Sequence, residues 1–259
     1  METTGPSQSK RARRDRHGGE LLLCHARPLA PNGRPRRHPP RVVDSGLHFT
    51  VARDALKRDD IEWALRLQRD TRPDQLDADT AAFVGDGRLV WSVWPKAQGS
   101  AVSGMAAARA RELVNGVLGQ IGACPACGNG GREHRVHEVE LMHYKGSGAA
   151  CPVHTDSPLP NVACPVREQG ALLVTLKQDC QGGVLYVADR QCGRIHGGDD
   201  RGPRDLGRDA QTLLLHPGDA VMLANVDHGV TPLASGSRAL LSCRLSCPAA
   251  ARREVVRRT

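Results

Sequence analysis

The amino-acid sequence predicts a mainly β protein with flanking helices, a sandwich or barrel such as a jelly roll. Short apolar segments follow one another from residue 135 onward, and Gly, Pro and Asp residues separate them. Two longer stretches before them have the apolar spacing of helices. Aromatic residues make up only 3% of the 259 residues, so Val, Leu, Ala and Met must form the core. Repeated short strands with turn signals are typical of such domains.

Two helices are predicted ahead of the strands, as elements that cover a sheet. Residues 51–70 have a loose apolar stripe, and residues 101–122 form a more regular helix that Gly122 would end. The first stripe consists of Ala55, Ile61, Trp63, Ala64 and Leu67. The second consists of Met105, Ala108, Leu113, Val117 and Ile121.

Six strands are predicted after the helices. They cover residues 136–144, 171–176, 184–187, 212–215, 220–224 and 239–245. Pro217-Gly218-Asp219 marks a turn between two of them. Residues 189–210 are polar and contain five glycines, which predicts a long surface loop.

Charge divides the chain into a near-neutral body and two basic ends. Residues 1–43 hold ten Lys or Arg against three Asp or Glu and are predicted to be a disordered tail, and 249–259 form a basic C-terminal tail. Residues 44–134 are predicted to be a helical or mixed part that packs on a core formed by 135–248. Because the body carries a net −2, a basic groove for polyanions is not expected.

The predicted compartment is cytoplasmic or nuclear. The nine cysteines are an odd number, no signal-peptide core is present, and no apolar run approaches the ~20 residues that a membrane helix needs. The basic cluster at residues 10–16 could be a nuclear-import signal or a nucleic-acid arm, and a solvated tail is the alternative.

A candidate metal site comes from His154, Asp156 and His228. Residues i and i+2 of an extended segment point to the same side, so His154 and Asp156 can reach one metal ion. His228 lies 72 residues after Asp156 and follows a predicted strand. Two imidazoles and one carboxylate form the facial triad of non-haem Fe(II) oxygenases, which leaves positions open on the metal. A surface histidine beside a turn aspartate is the alternative.

A candidate carboxylate-binding residue follows the metal motif. Arg238 lies ten residues after His228, within Gly236-Ser237-Arg238. A buried guanidinium offers a bidentate fork for a carboxylate. An arginine at this distance from a metal triad suggests a dicarboxylate cosubstrate.

Residues from about 138 to 247 resemble the Fe(II)- and 2-oxoglutarate-dependent dioxygenases, in particular the prolyl 4-hydroxylase-like branch. The matching stretches are 141–146, 154–156, 182–186, 217–221, 228–233 and 236–238. The resemblance implies a double-stranded β-helix of jelly-roll type. It also implies His154, Asp156 and His228 as catalytic iron ligands, and Arg238 as the partner of the distal carboxylate of 2-oxoglutarate. Tyr144 would lie beside that cosubstrate, and a core aromatic is the alternative for it.

The implied reaction couples decarboxylation of 2-oxoglutarate, with release of succinate and CO₂, to hydroxylation of an unactivated C–H bond. O₂ is the second cosubstrate, ascorbate is an accessory reductant, and a prolyl or other protein side chain is the expected substrate. One alternative is a non-catalytic jelly-roll module that binds through its basic tail and Cys/His cluster. Another is a nucleic-acid-directed oxygenase of the same superfamily.

The Cys/His cluster is a second place where a metal could bind. Cys124-Pro125-Ala126-Cys127 is followed by His134 and His137, and such a set could hold structural zinc. The two histidines are closely spaced and a glycine-rich segment precedes them. The sequence therefore favours unliganded thiols over zinc at Cys124 and Cys127.

Overall fold

In a computed structural model of the chain, the described residues form eleven strands, two α-helices and one 3₁₀ helix. The described ranges are 42–44, 49–74, 87–94, 101–122, 124–125, 127, 130–156, 169–187 and 211–247. The helices are α1 (Arg58–Asp70) and α2 (Gly104–Leu118), and the 3₁₀ helix is Gly131–Glu133. The strands are β1 (Val42–Asp44), β2 (Phe49–Ala52), β3 (Arg88–Trp94), β4 (Arg135–Lys145), β5 (Cys151–His154), β6 (Gln169–Gly182), β7 (Leu185–Val187), β8 (Gln211–Leu213), β9 (Ala220–Ala224), β10 (His228–Val230) and β11 (Leu233–Ser246).

The strands form two antiparallel sheets that face each other. The larger has the order β1-β2-β9-β6-β11-β4-β3, and the smaller has the order β5-β10-β7-β8. Apolar side chains of both sheets, among them Leu173, Leu185 and Leu223, form one buried cluster between them. Neighbouring strands are mostly distant in sequence, as in a jelly roll. The predicted mainly β fold with flanking helices, a double-stranded β-helix, is confirmed.

The two helices cover the outer face of the larger sheet. Successive residues of a strand point to opposite faces, so Leu240 packs between the sheets and Leu241 packs against the helices. Arg238 lies two residues before Leu240, so its side chain is on the same face of β11 and points between the sheets. The Gln68 side chain of α1 donates a hydrogen bond to the Met142 carbonyl, 3.1 Å away, which fixes this helix on β4.

The apolar face of α2 differs in part from the predicted stripe. Met105 is 84% exposed and Ala108 is exposed, although Val117 and Ile121 are buried as expected. The helix begins after Ser103, whose hydroxyl caps the Ala106 amide, and Gly119 ends it three residues before Gly122. Several small residues on α2 make two stripes equally plausible, and contact with the sheet selects one. The buried face is Ala107, Ala110, Val114, Val117 and Leu118.

All six predicted strands are present, as β4, β6, β7, β8, β9 and β11. The prediction of one helix over 51–70 was wrong at its start, because residues 49–52 form β2, which pairs with β9. Residues 49–52 are extended because they pair with β9, a strand distant in sequence, and the local spacing of apolar residues cannot reveal such pairing. The sequence also missed β1, β3, β5 and β10.

Some predictions lie outside the described residues. The tail over 1–43 does, except for Val42 and Val43 in β1, and so do the loop over 189–210 and the tail over 249–259. The proposed domain boundaries stay a prediction. None of the described helices is long and apolar enough to cross a membrane.

The predicted turn at Pro217-Gly218-Asp219 is held by one buried carboxylate. Asp219 accepts hydrogen bonds from the His216 amide at 2.8 Å and the Asp54 amide at 3.1 Å. Arg53 pairs with it at 2.5 Å. The turn needs a positive φ of 95° at Gly218, which glycine adopts without strain. Asp219 therefore joins the start of β9 to the segment after β2.

Replacing Asp219 by alanine is expected to lower the free energy of unfolding by about 3 kcal/mol, because two backbone amides and Arg53 lose their acceptor. Urea denaturation followed by circular dichroism measures this change. Asp179→Ala is the matched control, since the Asp179 side chain is 85% exposed and its pair with Lys177 is worth less than ~1 kcal/mol. Equal losses in the two variants would contradict the assigned role of Asp219.

Candidate metal centre

Two adjacent strands of the smaller sheet bring His154 and His228 together. His154 ends β5, His228 begins β10, and the two residues are direct partners in the antiparallel register. Their rings lie 4.4 Å apart between centroids. Asp156 follows on the same side as His154, with its Oδ1 3.7 Å from His154 Nε2. One potential ligand atom from each of the three residues lies within 4.8 Å of the others. The structure thus brings the whole predicted triad together.

Both imidazoles are oriented by the backbone. His154 Nδ1 is 2.9 Å from the Pro152 carbonyl oxygen, and His228 Nδ1 is 3.0 Å from that of Val226. A carbonyl can only accept, so each Nδ1 carries the proton and donates it. This arrangement makes Nε2 of each ring the nitrogen that can face a metal ion, as in a histidine ligand whose Nδ1–H is bonded to a carbonyl.

The charges around the triad favour an anionic aspartate and one neutral histidine. Burial opposes ionisation of Asp156, but His228, Arg244 and His154 outweigh it and lower the pKa of this carboxyl. Burial, followed by the nearby His154, lowers the pKa of His228. Burial acts in the same direction on His154, but Cys151 and Asp156 outweigh it and raise its pKa to about 9. A metal cation that takes the place of the additional proton on His154 would be stabilised by the same two groups, Cys151 and Asp156.

A hydrogen bond between the neighbours of the ligands locks the two strands. Thr155, which lies between His154 and Asp156, donates its hydroxyl to the carboxylate of Asp227, which precedes His228. Thr155 is 5% exposed and Asp227 is 1% exposed. The bond therefore joins the two halves of the candidate site just behind the ligands. Thr155 and Asp227 hold the ligands in place without pointing at the metal position.

Thr155→Val is expected to weaken metal binding about 10- to 100-fold, because it removes this orienting hydrogen bond and keeps the side-chain volume. Titration with Mn²⁺ or Ni²⁺ followed by calorimetry measures the change. Thr212→Val, at an exposed position of β8, is the matched control and should bind like the wild type. Unchanged affinity in Thr155→Val would show that the backbone alone orients the ligands.

The second part of the candidate site lies between the sheets on β11 and β4. Arg238 is 1% exposed, is the register partner of Tyr144, and donates from Nη1 to the Gly183 carbonyl at 2.6 Å. Its Nε has no hydrogen-bond partner among the described residues. Burial lowers the pKa of this guanidinium, because its charge has lost water. A buried cation with a free N–H fits a carboxylate ligand.

Four further polar residues, which sequence analysis did not assign to the site, surround it. Arg88 on β3 is buried, places Nη1 2.9 Å from Cys151 Sγ, and lies 5.8 Å from the centre of the Tyr144 ring. Arg244 Nε is 3.6 Å from Asp156 Oδ2. Burial, followed by Glu138, raises the pKa of Glu140 to about 7. The additional residues are Arg88, Glu140, Cys151 and Arg244.

One sequence signal could have found part of this set. Within the predicted strand 136–144, Glu138 and Glu140 are separated from Tyr144 by even numbers of residues, so all three side chains lie on the same face of the strand. Two charged residues therefore share a face with an aromatic residue expected in the core. Arg88 carried no such signal, because the strand that contains it was not predicted. Its place in the site depends on β3 pairing with β4, where Arg88 is opposite Tyr144.

Comparison with known proteins identifies the fold. No protein-family model and no curated protein matches the chain. Among solved structures, HygX from Streptomyces hygroscopicus, with nickel and 2-oxoglutarate bound, is 16% identical with a TM-score of 0.51, and the match covers 78% of this chain and 84% of HygX. The α-ketoglutarate-dependent carbocyclase SnoK of nogalamycin biosynthesis is 12% identical with a TM-score of 0.51, covering 78% and 80%. The epimerase SnoN, in complex with Fe³⁺, α-ketoglutarate and nogalamycin RO, is 13% identical with a TM-score of 0.50, covering 78% and 79%. The chain therefore has the fold of these three proteins, each of which is described as binding or depending on 2-oxoglutarate (α-ketoglutarate).

Proposed function

We propose that this protein is an Fe(II)- and 2-oxoglutarate-dependent dioxygenase that hydroxylates an unactivated C–H bond and releases succinate and CO₂. The observation that carries the proposal is the convergence of His154, Asp156 and His228 within 4.8 Å of one another. Two imidazoles and a carboxylate are the donor set of a non-haem iron site with open positions. The buried Arg238 supports 2-oxoglutarate as the cosubstrate, because its Nε has no hydrogen-bond partner among the described residues and could bind a carboxylate.

His154, Asp156 and His228 would hold the iron, which with 2-oxoglutarate and O₂ supplies the oxidising chemistry. The backbone carbonyls of Pro152 and Val226 keep both Nε2 atoms directed at the metal position. Asp156 contributes the negative charge, and its Oδ2 forms an ion pair with Arg244 Nε, 3.6 Å away. These contacts preset the ligand geometry and lower the reorganisation that metal binding requires.

Arg238 would bind the distal carboxylate of 2-oxoglutarate, with Tyr144 beside it. Both side chains are buried, so the ion pair would form away from water, where it is strong. Arg88 provides a second positive charge on the other side of the Tyr144 ring. The two arginines suit a cosubstrate that carries two carboxylates.

For the substrate we propose a protein or peptide side chain, with a prolyl residue as one candidate. Glu140, which has no assigned role in metal or cosubstrate binding, supports this choice, because a polar side chain beside the site suits polar peptide groups. A small molecule is the second candidate, since HygX was solved with hygromycin B and SnoN with nogalamycin RO.

We further propose a cytoplasmic or nuclear location. The basic cluster Lys10-Arg11-Ala12-Arg13-Arg14 has the composition of an import signal, and nine cysteines suit a reducing compartment. Fusion of residues 1–43 to a fluorescent protein tests the import role.

Anaerobic titration of the purified protein with Fe(II) and 2-oxoglutarate tests the proposed activity. A visible charge-transfer band, which iron chelated by a 2-oxo acid produces, is the expected result. Absence of the band with iron bound would remove the dioxygenase proposal and favour a binding module. Mass spectrometry of peptide and small-molecule mixtures after aerobic turnover then separates the two substrate classes.

A further inference from the structure

A second group of metal-ligand side chains lies on the helix side of the larger sheet, away from the iron motif. It contains Cys124, Cys127, His134 and Cys247, and one potential ligand atom from each lies within 4.8 Å of the other three. Cys124, His134 and Cys247 are 4%, 7% and 5% exposed, and Cys127 is half-buried. Three sulfurs and one imidazole thus share one small buried space.

The distances in this group match the edges of a zinc tetrahedron. Cys124 Sγ lies 3.7 Å from Cys247 Sγ, and Cys127 Sγ lies 3.7 Å from His134 Nε2. Zn–S bonds of ~2.3 Å and Zn–N bonds of ~2.0–2.1 Å place two sulfurs about 3.8 Å apart, and a sulfur and a nitrogen about 3.6 Å apart. A disulfide would need the two sulfurs at ~2.05 Å, so the observed spacing suits a shared metal and not a bridge.

The imidazole of His134 is already oriented as a zinc ligand. Its Nδ1 is 3.2 Å from the Gly130 carbonyl oxygen and 3.1 Å from that of Gly131. Because these carbonyls can only accept, Nδ1 carries the proton and Nε2 presents its lone pair to the sulfurs. Gly131 permits this close turn, since a Cβ there would lie 2.3 Å from the Leu118 carbonyl oxygen.

The strand register supplies the ligand that the sequence did not suggest. On β11 and β4, Leu245 pairs with Val136 and Ser246 pairs with Arg135, so the next step places Cys247 opposite His134. His137, the second histidine considered from the sequence, bonds instead to Ser246 Oγ at 2.8 Å. Consecutive strand residues face opposite sides, so His137 lies on the other face of the sheet from Cys247.

We propose that Cys124, Cys127, His134 and Cys247 bind a structural zinc ion. Four protein ligands close the coordination shell, so this site is structural and leaves no position for a substrate. The ion would join the segment after α2, the start of β4 and the end of β11, and so fasten the helix layer to the sheet. The expectation of unliganded thiols at Cys124 and Cys127 rested on the close spacing of the two histidines and on the glycine-rich segment before them, and it did not consider the third sulfur, from Cys247.

Metal analysis of the full chain separates this site from the iron site. We expect about one equivalent of zinc per chain in protein purified without chelators, and the same amount in a His154→Ala variant. Cobalt substitution provides the second measurement, because tetrahedral Co²⁺ bound to thiolates has an intense sulfur-to-cobalt charge-transfer band. The cobalt band should appear in His154→Ala and be strongly reduced in Cys247→Ser.

Two matched pairs of variants test the ligand assignment. Cys247→Ser and His134→Gln should lose at least tenfold in zinc affinity, and chelator-treated wild type should melt at a lower temperature than the zinc-loaded protein. Cys180→Ser and His137→Gln replace the same residue types outside the cluster and should retain the zinc. If Cys247→Ser does not fold, the cobalt spectrum of the wild type still decides.

Zinc lost in His154→Ala, or a cobalt spectrum without thiolate bands in the wild type, would overturn the proposal. A disulfide between Cys124 and Cys247, found by mass spectrometry of protein kept under reducing conditions, would do the same.

Discussion

His154→Ala is expected to abolish iron binding and the charge-transfer band that 2-oxoglutarate forms with iron. The variant removes one of three protein ligands from a site where the remaining two, Asp156 and His228, cannot enclose the metal. Turnover of 2-oxoglutarate to succinate should fall by at least ~10³-fold, which corresponds to about 4 kcal/mol of lost transition-state stabilisation. Anaerobic absorption spectroscopy and a succinate assay measure the two effects.

His216→Ala is the matched control for this prediction. His216 is exposed and lies before the Asp219 turn, so its side chain is not among the candidate ligands. The control should keep the band and the turnover of the wild type. If His154→Ala binds iron and 2-oxoglutarate as well as the control does, the proposed triad is wrong. Thermal unfolding of both variants shows whether the fold is intact.

Arg238→Met is expected to raise the concentration of 2-oxoglutarate needed for half-saturation about 10²- to 10³-fold. The substitution keeps the length and apolar stem of the side chain and removes the charge that would pair with the distal carboxylate. Loss of one partner of a buried charge pair costs about 2–5 kcal/mol, which gives an effect of this size. Titration of the charge-transfer band with 2-oxoglutarate measures it.

A shorter 2-oxo acid shows whether the loss concerns the distal carboxylate. 2-Oxobutyrate lacks that group, so it should bind equally to the wild type and to Arg238→Met, while 2-oxoglutarate discriminates between them. Arg111→Met is the matched control, because Arg111 lies over the Trp94 ring, 4.3 Å from its centre, and is exposed. Equal losses for both acids would indicate a general disturbance of the site and contradict the assigned role of Arg238.

The spacing of a few residues was enough to predict most of the candidate metal centre. His154 and Asp156 are neighbours on one side of an extended segment, which follows from the two-residue period of strands. Joining them to His228 rested on its place after a predicted strand and turn and on the resemblance to a known family, because nothing local connects positions 154 and 228. The register between β5 and β10 then explains why these two histidines meet.

Residues that act through long-range pairing could not be predicted in this way. Arg88 enters the site only because β3 pairs with β4, and β3 was not evident from composition or periodicity. Met105 was assigned to the core because it fits a helical stripe, yet it is exposed, since the sheet contacts a different face of α2. Stripe patterns give the period of a helix more reliably than the face that is buried.

The sequence by itself determined the mainly β class, six of the strands and the residues of the candidate iron triad. The fold class, the strands and the His154–Asp156 pair follow from local periodicity, turn residues and short motif spacing, which any segment carries within itself. His228 was joined to that pair by its order in the chain and by the family resemblance. Only the tertiary structure decided that Cys247 joins Cys124, Cys127 and His134, and that His137 does not. More than a hundred residues separate Cys247 from the other three, and the hydrogen-bonded register of β4 and β11 is what places it beside His134.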